Sequence, residues 1–293
     1  LLHLYLLGGP DFFCGSDTPA GYRNIAGVVQ KLGKETILQM MNIRKKVRSI
    51  IEILCGSALY PVCGLPGGVS KPVSENQRDK ILEISREAKS FALLTRKIFR
   101  KHFVGNRKFT ELVRNESFCQ RIYSMGMVDS QGRPDFYDGI IRVVDPEGKI
   151  FCEFPPRKYL EILSERIDPE SYAKPMFLKQ VGWKGMVEGE KSGIYRVGPL
   201  GRLNVADTMS TVEARAEFER MFHFLRGKPV HNLFAYHWAR FVEVLNAAEK
   251  MVELAEKKEL TDRRIRSIQF ETPREGFGAC EAPRGTLFHH YKT

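Results

Sequence analysis

The chain has 293 residues, enough for one large domain or two small ones, and its apolar content suits a globular protein with a sizeable core. No apolar run reaches the roughly 18 residues of a bilayer-spanning helix, and residues 1–7, although apolar, lack the basic flank and cleavage site of a secretory signal. The 46 Lys and Arg against 35 Asp and Glu give a formal net charge of +11, but the cations are spread along the chain without the basic and aromatic pattern of an RNA-binding sheet.

Taken in order, Met40, Ile43, Val47, Ile50 and Leu54 recur at spacings of three and four and mark one helix face. The densest basic cluster, Arg44-Lys45-Lys46-Val47-Arg48, surrounds that face and reads as its solvated side. Gly56 is placed to end the helix. Ser74-Glu75-Asn76-Gln77 reads as a capping box, followed by a second amphipathic helix through Ile84, Ala88, Phe91, Leu94 and Ile98. The period then changes. Residues 140–144 and 150–154 are β-prone and flank Asp145-Pro146-Glu147-Gly148, which predicts a β-hairpin with a Pro-Gly turn. A short helix is expected after Pro155-Pro156, and a loop over residues 182–193. Ser210-Thr211-Val212-Glu213 reads as another capping box, opening a helix to about Leu225. Phe234, Trp238, Phe241, Leu245, Ala248, Val252 and Ala255 give the strongest helical pattern of all. From Ile265 onward short strands and loops are expected. The sequence shows no internal repeat, low-complexity tract or linker. The fold class read from these patterns is mainly α, that is, α+β with a small β-hairpin insertion, in a single domain over 1–293.

The six cysteines, Cys14, Cys55, Cys63, Cys119, Cys152 and Cys280, include no Cys-x-x-Cys pair. Their spacing suits neither a zinc site nor a disulfide scaffold. They read as free thiols, most of them small core residues, in a reducing cytoplasm.

Few motifs carry chemistry. Pro66-Gly67-Gly68-Val69-Ser70-Lys71 lacks the order of a Walker loop and any βαβ setting, so it reads as a tight turn before the Ser74 helix. There is no Gly-x-Ser-x-Gly elbow and no His-Glu-x-x-His. His237, beside the apolar stripe of the strongest helix, reads as a satisfied polar group and not a ligand. Adjacent His289 and His290 cannot act as an i, i+4 metal pair. Residues 276–291 differ in packing Glu281, Pro283, Arg284, Gly285, His289 and Tyr291 into one non-periodic stretch. An Arg between Pro and Gly has a fixed backbone on one side and close access on the other. Chemistry alone leaves two readings open: a structural Arg–Glu ion pair, or a guanidinium aimed at an anionic or electron-rich group.

Gly278, Glu281-Ala282-Pro283-Arg284-Gly285-Thr286-Leu287 and His289 resemble the Gly…Glu-Ala-Pro-Arg-Gly-x-Leu…His motif of NiFe-hydrogenase large subunits. The related quinone-reductase subunit of respiratory complex I shares the core of that motif. Four further segments, in the family's order, favour hydrogenase. Leu2-His3-Leu4-Tyr5 with Pro10-Asp11-Phe12 is similar to its early helix end. Pro61-Val62 with Leu65-Pro66-Gly67-Gly68-Val69-Ser70-Lys71 is similar to its His-Pro…Pro-Gly-Gly segment. Tyr195-Arg196-Val197-Gly198-Pro199-Leu200-Gly201-Arg202-Leu203-Asn204 resembles its Arg-Val-Gly-Pro-Leu-Ala-Arg-Leu-Asn stretch. Lys228-Pro229-Val230-His231-Asn232 with Tyr236-His237-Trp238-Ala239-Arg240 resembles a segment of the cytoplasmic, bidirectional or methyl-viologen-reducing branch.

The resemblance implies a NiFe-hydrogenase large-subunit-like helical domain and reversible oxidation of dihydrogen to protons and electrons. It implies a NiFe centre with diatomic iron ligands, held by two Cys-x-x-Cys pairs. The implied partners are an iron–sulfur small subunit and further electron-transfer subunits. A cytoplasmic location is implied too, with no nucleic acid and no membrane span. Carried over by position, Ala282, Pro283 and Arg284 would pack against the centre. Arg284 would be the catalytic residue, and Glu281 and His289 would support it from behind. Arginine stays protonated far above neutral pH, so Arg284 is assigned an electrostatic and positioning role. No metal ligand is assigned within the chain: the family's cysteine pairs are expected outside residues 1–293, which read as the interior of a longer subunit, inactive alone. Tyr60 stands where the family has His. The rival is a metal-free hydrogenase-like or complex I quinone-reductase-like scaffold; two flanking Cys-x-x-Cys pairs would favour the enzyme, and none the scaffold. A basic nucleic-acid-binding helical protein would instead show affinity falling steeply with salt.

Overall fold

The computed structural model describes residues 1–15, 17–267 and 273–293. After π-helical turns at His3–Leu7 and Pro10–Cys14, its α-helices are α1 (Ile25–Leu32), α2 (Lys34–Cys55), α3 (Glu75–Phe99), α4 (Arg107–Arg114), α5 (Tyr159–Ile162), α6 (Gly198–Val205), α7 (Val212–Phe224) and α8 (Ala235–Glu256). Its strands are β1 (Gly64–Leu65), β2 (Gly68–Val69), β3 (Tyr123–Val128), β4 (Ile140–Val144), β5 (Ile150–Phe154), β6 (Leu163–Glu165), β7 (Met176–Leu178), β8 (Tyr195–Arg196), β9 (Glu275–Ala282) and β10 (Gly285–Lys292). No described helix is long and apolar enough to cross a membrane. The chain divides into two compact units, Leu1–Thr110 with Val244–Thr272, and Glu111–Glu243 with Pro273–Thr293.

The first unit is built on α2 and α3. Gly56 ends α2 at φ 81°, a left-handed cap that costs Gly little. Ser74 and Gln77 form the expected capping box, with Ser74 Oγ accepting from Gln77 N at 3.3 Å and Gln77 Oε1 accepting from Ser74 N at 3.0 Å. Ile50, Ile81, Ile84 and Ala255 form one of its buried clusters, with Val47, Leu54 and Met251 packed around them. The Pro66-Gly67 segment is the expected tight turn, between β1 and β2. It is anchored by Ser267 N donating to Gly67 O at 2.8 Å and Arg266 Nε donating to Pro66 O at 2.9 Å. Residues 268–272 of the expected strand-and-loop stretch lie outside the described residues.

The second unit is built on a four-stranded sheet in the order β5-β4-β3-β8, antiparallel except for the parallel β3–β8 pair. The β4–β5 hairpin sits where the sequence puts it. Asp145 Oδ1 accepts from Glu147 N at 3.0 Å and Lys149 N at 2.8 Å, and Gly148 takes φ 86°. Strand β3 is buried along its whole length. A strand covered on both faces has no alternation to read, so periodicity passes over it. Met125, Met127, Ile141, Val143, Phe154, Leu163 and Leu178 form the core of the sheet. Helix α7 has Thr211 as its N-cap, one residue later than Ser210. The largest departure is at the C-terminal end. The stretch expected as short strands and loops is a hairpin of two eight-residue strands, β9 and β10. Gly276 and Gly278 weaken the local strand signal, and cross-strand pairing supplies what propensity lacks.

Helix α6 crosses β3 at Gly126. A Cβ there would lie 2.9 Å from Arg202 Cα and 3.0 Å from Val205 Cγ2. Gly126→Ala is therefore expected to push α6 off the sheet and to destabilise the fold by about 1–3 kcal/mol. Thermal unfolding measures this, and an unchanged melting temperature would refute the close approach.

Candidate functional site

Register pairs Ala282 directly with Gly285, so Pro283-Arg284 is the two-residue turn of the β9–β10 hairpin. Pro283 and Arg284 are exposed at its tip, and Ala282 is half-buried. Beneath the tip the strands dive inward. The Glu281 carboxylate has no exposed side-chain surface. Its Oε1 accepts from Met127 N of β3 at 2.9 Å and from Thr286 Oγ1 across the hairpin at 2.8 Å. Its Oε2 accepts from Arg202 Nη1 at 2.7 Å. Glu281 is thus the ion-paired residue that one reading of the sequence expects, but its partner is Arg202 on α6 and not Arg284.

Arg202 is completely buried. Its Nε and Nη2 clasp the Glu243 carboxylate of α8 at 2.5 and 3.0 Å. Its Nη1 donates both to Glu281 and, at 2.8 Å, to Ala282 O. Pro283 O lies 3.5 Å from Nη2, and the Phe136 ring centroid is 5.3 Å from the guanidinium carbon. Burial opposes the charge on Arg202, but the Glu243 hydrogen bonds and the two carboxylates outweigh it and hold the guanidinium above its ordinary pKa. Burial pushes the Glu243 carboxyl up, against the pull of Arg202. One guanidinium therefore serves two carboxylates and the backbone of the turn.

The far side of the turn is fixed by close packing. A Cβ on Gly198, at the start of α6, would sit 3.2 Å from Arg284 O, and one on Gly285 would sit 2.7 Å from Val197 Cγ2. Tyr236 Oη donates to Val197 O at 2.8 Å. Below lies buried Arg196, whose Nη2 donates to Gln120 O at 2.8 Å and His231 O at 3.2 Å, while Nη1 meets His231 Nδ1 at 3.3 Å. His231 Nε2 is 2.8 Å from Pro146 O. These partners assign the proton to Nε2 and leave Nδ1 as acceptor. Burial lowers the His231 pKa and keeps the ring neutral.

The remaining expected residues fall elsewhere. His289 pairs with Gly278, three register pairs beyond Thr286–Glu281, and its exposed ring meets Tyr291 Oη at 3.1 Å. Tyr60 is exposed in the first unit. His237 is half-buried on α8, its pKa pushed down to about 3 by desolvation and then by Arg240. The six cysteines are free, and each is partly exposed rather than buried in the core. Among the described residues no three His, Cys, Asp or Glu gather as a metal-ligand set. Sequence reasoning misses Arg202 and Glu243 as site residues. Each is a charge inside an apolar run, Arg202 between Leu200 and Leu203, and Glu243 between Val242 and Val244, and Arg202 also lies in a stretch that carries the family resemblance.

No family model matches the chain. It is 40% identical over 290 residues to an F420-non-reducing hydrogenase iron-sulfur subunit of Archaeoglobus profundus, covering 99% of this chain and 60% of that protein. It is 34% identical to a vhu subunit of the F420-non-reducing hydrogenase of Methanocaldococcus jannaschii, across 100% of this chain and 66% of that protein. Its fold superposes on the crystal structure of an NAD+-reducing [NiFe]-hydrogenase in the H2-reduced state. The TM-score is 0.89 and the identity 30%, over 99% of this chain and 62% of the other. The chain belongs to the NiFe-hydrogenase large-subunit family. It spans about 60% of the length of these hydrogenase relatives. The described residues of this chain do not fit as ligands of a NiFe centre. What they build is the pinned turn that carries Arg284.

Burial at this site has two measurable consequences. Glu281→Ala takes the carboxylate acceptor from Met127 N and from one prong of Arg202, whose charge Glu243 still balances, and is expected to cost about 1–3 kcal/mol in thermal or denaturant unfolding; an unchanged unfolding free energy would contradict the buried cluster. The depressed folded-state pKa of His237 means that the unfolded state binds more protons between about pH 6.5 and 3. Its contribution to stability is full above pH 6.5 and shrinks as pH falls toward 3. His237→Gln should flatten that acid limb in melts taken across the range, and an unaltered limb would exclude His237 as its source.

Proposed function

We propose that the chain is part of a single-domain NiFe-hydrogenase large subunit, which oxidises dihydrogen reversibly to protons and electrons. The observation that carries this reading is the Pro283-Arg284 turn, exposed at its tip and pinned from behind by Arg202 and Glu281. The matched relatives and the 0.89 superposition support it. A NiFe centre with diatomic iron ligands would supply the Lewis-acidic redox site, with cysteine ligands from outside residues 1–293.

Within this chain the roles divide by position. Arg284 presents a cation at the tip of a rigid hairpin, suited to stabilising charge where it develops. Ala282 and Pro283 give that tip a small apolar surface with a fixed backbone. Glu281 holds the hairpin to β3 and α6. His289 supports the strand three pairs further out. Electrons would pass to a separate iron–sulfur small subunit, with further electron-transfer subunits beyond it, in the cytoplasm.

The test uses the full-length large subunit in complex with its small subunit. Nickel content and dihydrogen-dependent dye reduction are expected in the wild type. Arg284→Lys is expected to keep the nickel and lose roughly 100-fold in turnover. Absence of nickel and of dihydrogen uptake in the wild-type complex would remove the hydrogenase reading. Full turnover in Arg284→Lys would remove Arg284 from the reaction.

A further inference from the structure

We propose that Arg202 is a positioning residue for Arg284, acting through the backbone of the turn, with Glu243 fixing its orientation. The inference rests on the hydrogenase reading above for its kinetic arm. A two-residue turn with both side chains exposed makes few side-chain contacts of its own, so its direction must be set by its backbone. Here Ala282 O accepts from Arg202 Nη1 at 2.8 Å, and the next carbonyl, Pro283 O, lies 3.5 Å from Nη2. Arg284 O is backed by Gly198, where a Cβ would already lie at 3.2 Å. The carbonyls on three successive residues thus face α6, and two of them face one guanidinium.

That guanidinium cannot swing. Glu243 takes Nε and Nη2 in a two-pronged clasp, which leaves Nη1 directed at Glu281 and Ala282. Glu281 is in turn held by Met127 N of the buried strand β3. The chain of contacts runs from α8 through Arg202 to the turn, and from β3 through Glu281 to the same hairpin. Lysine at 202 would keep the charge, but a single ammonium lacks the planar fork that serves Glu243, Glu281 and Ala282 O together. Apolar side chains of similar volume often match a buried ion cluster in stability. Stability alone therefore gives no reason for an arginine here, whereas orientation does.

The experiment uses the full-length large subunit in its complex, as wild type, Arg202→Lys, Arg202→Met, Arg284→Lys and the Arg202→Lys/Arg284→Lys double variant. Arg202→Lys is expected to fold, to keep its KM for dihydrogen, and to lose about 10- to 100-fold in turnover through misplacement of the turn. Adding Arg284→Lys to it should cost less than about threefold more, because both changes act on one group. Amide hydrogen exchange at Ala282 and Gly285 should rise at least about tenfold in Arg202→Lys, while amides of β3 keep their protection. Multiplicative turnover losses in the double variant, or unchanged exchange at the turn, would overturn the proposal. Should Arg202→Met fail to fold, the lysine variant carries the test. If the wild-type complex lacks dihydrogen activity, the hydrogenase reading fails, and the exchange measurement still decides whether Arg202 positions the turn.

Discussion

Arg202 sits with no exposed surface among two carboxylates and the backbone of a turn that ends in solvent. Taking one guanidinium and two carboxylates out of water costs several kcal/mol per ion. The cluster is tolerable only because each carboxylate is satisfied: Glu243 by two bonds from Arg202, Glu281 by Arg202, Met127 N and Thr286. The packing around it obeys the same requirement. Gly126 lets α6 lie close enough to β3 for Arg202 to reach inward, and Gly201 lets the helix back approach the Arg196 and Met125 carbonyls. A longer side chain at either glycine would move the guanidinium and leave charges unmatched.

A second polar set is arranged around β8 on different terms. Buried Arg196 donates to backbone carbonyls and to neutral His231. Burial lowers its pKa. Asn204 ties the same region together, its amide donating to Val230 O at 2.9 Å and accepting from Val230 N at 3.0 Å. The segments 195–204 and 228–232, distant in sequence, are therefore joined by satisfied polar contacts as well as apolar packing. Both segments carry the family resemblance, and the physical reason is visible: Arg196 and Asn204 each find their partners on the other segment.

All six cysteines are free and partly exposed, and desolvation lowers the pKa of both His231 and His237. Among the described residues they form no ligand set of the kind a NiFe centre requires.

Much of the architecture was determined by sequence alone. The periodicities of α2, α3 and α8 and the Ser74 capping box follow from local rules of spacing and capping, as does the Asp145–Gly148 turn, and each stands where those rules place it. The Glu281 motif was legible as a dense cluster, but its partner was not. Glu281 lies three residues from Arg284 and 79 from Arg202, and it pairs with the distant one. Sequence proximity suggested the near pair because an ion pair leaves no periodic trace. Strand β3 and the long β9–β10 hairpin were hidden for a related reason, since burial on both faces erases alternation and glycines erase propensity. Spacing along the chain settled the helices and the first turns. Only tertiary structure decided which buried charge met which, because desolvation forces every charge inside to find a partner wherever the fold brings one.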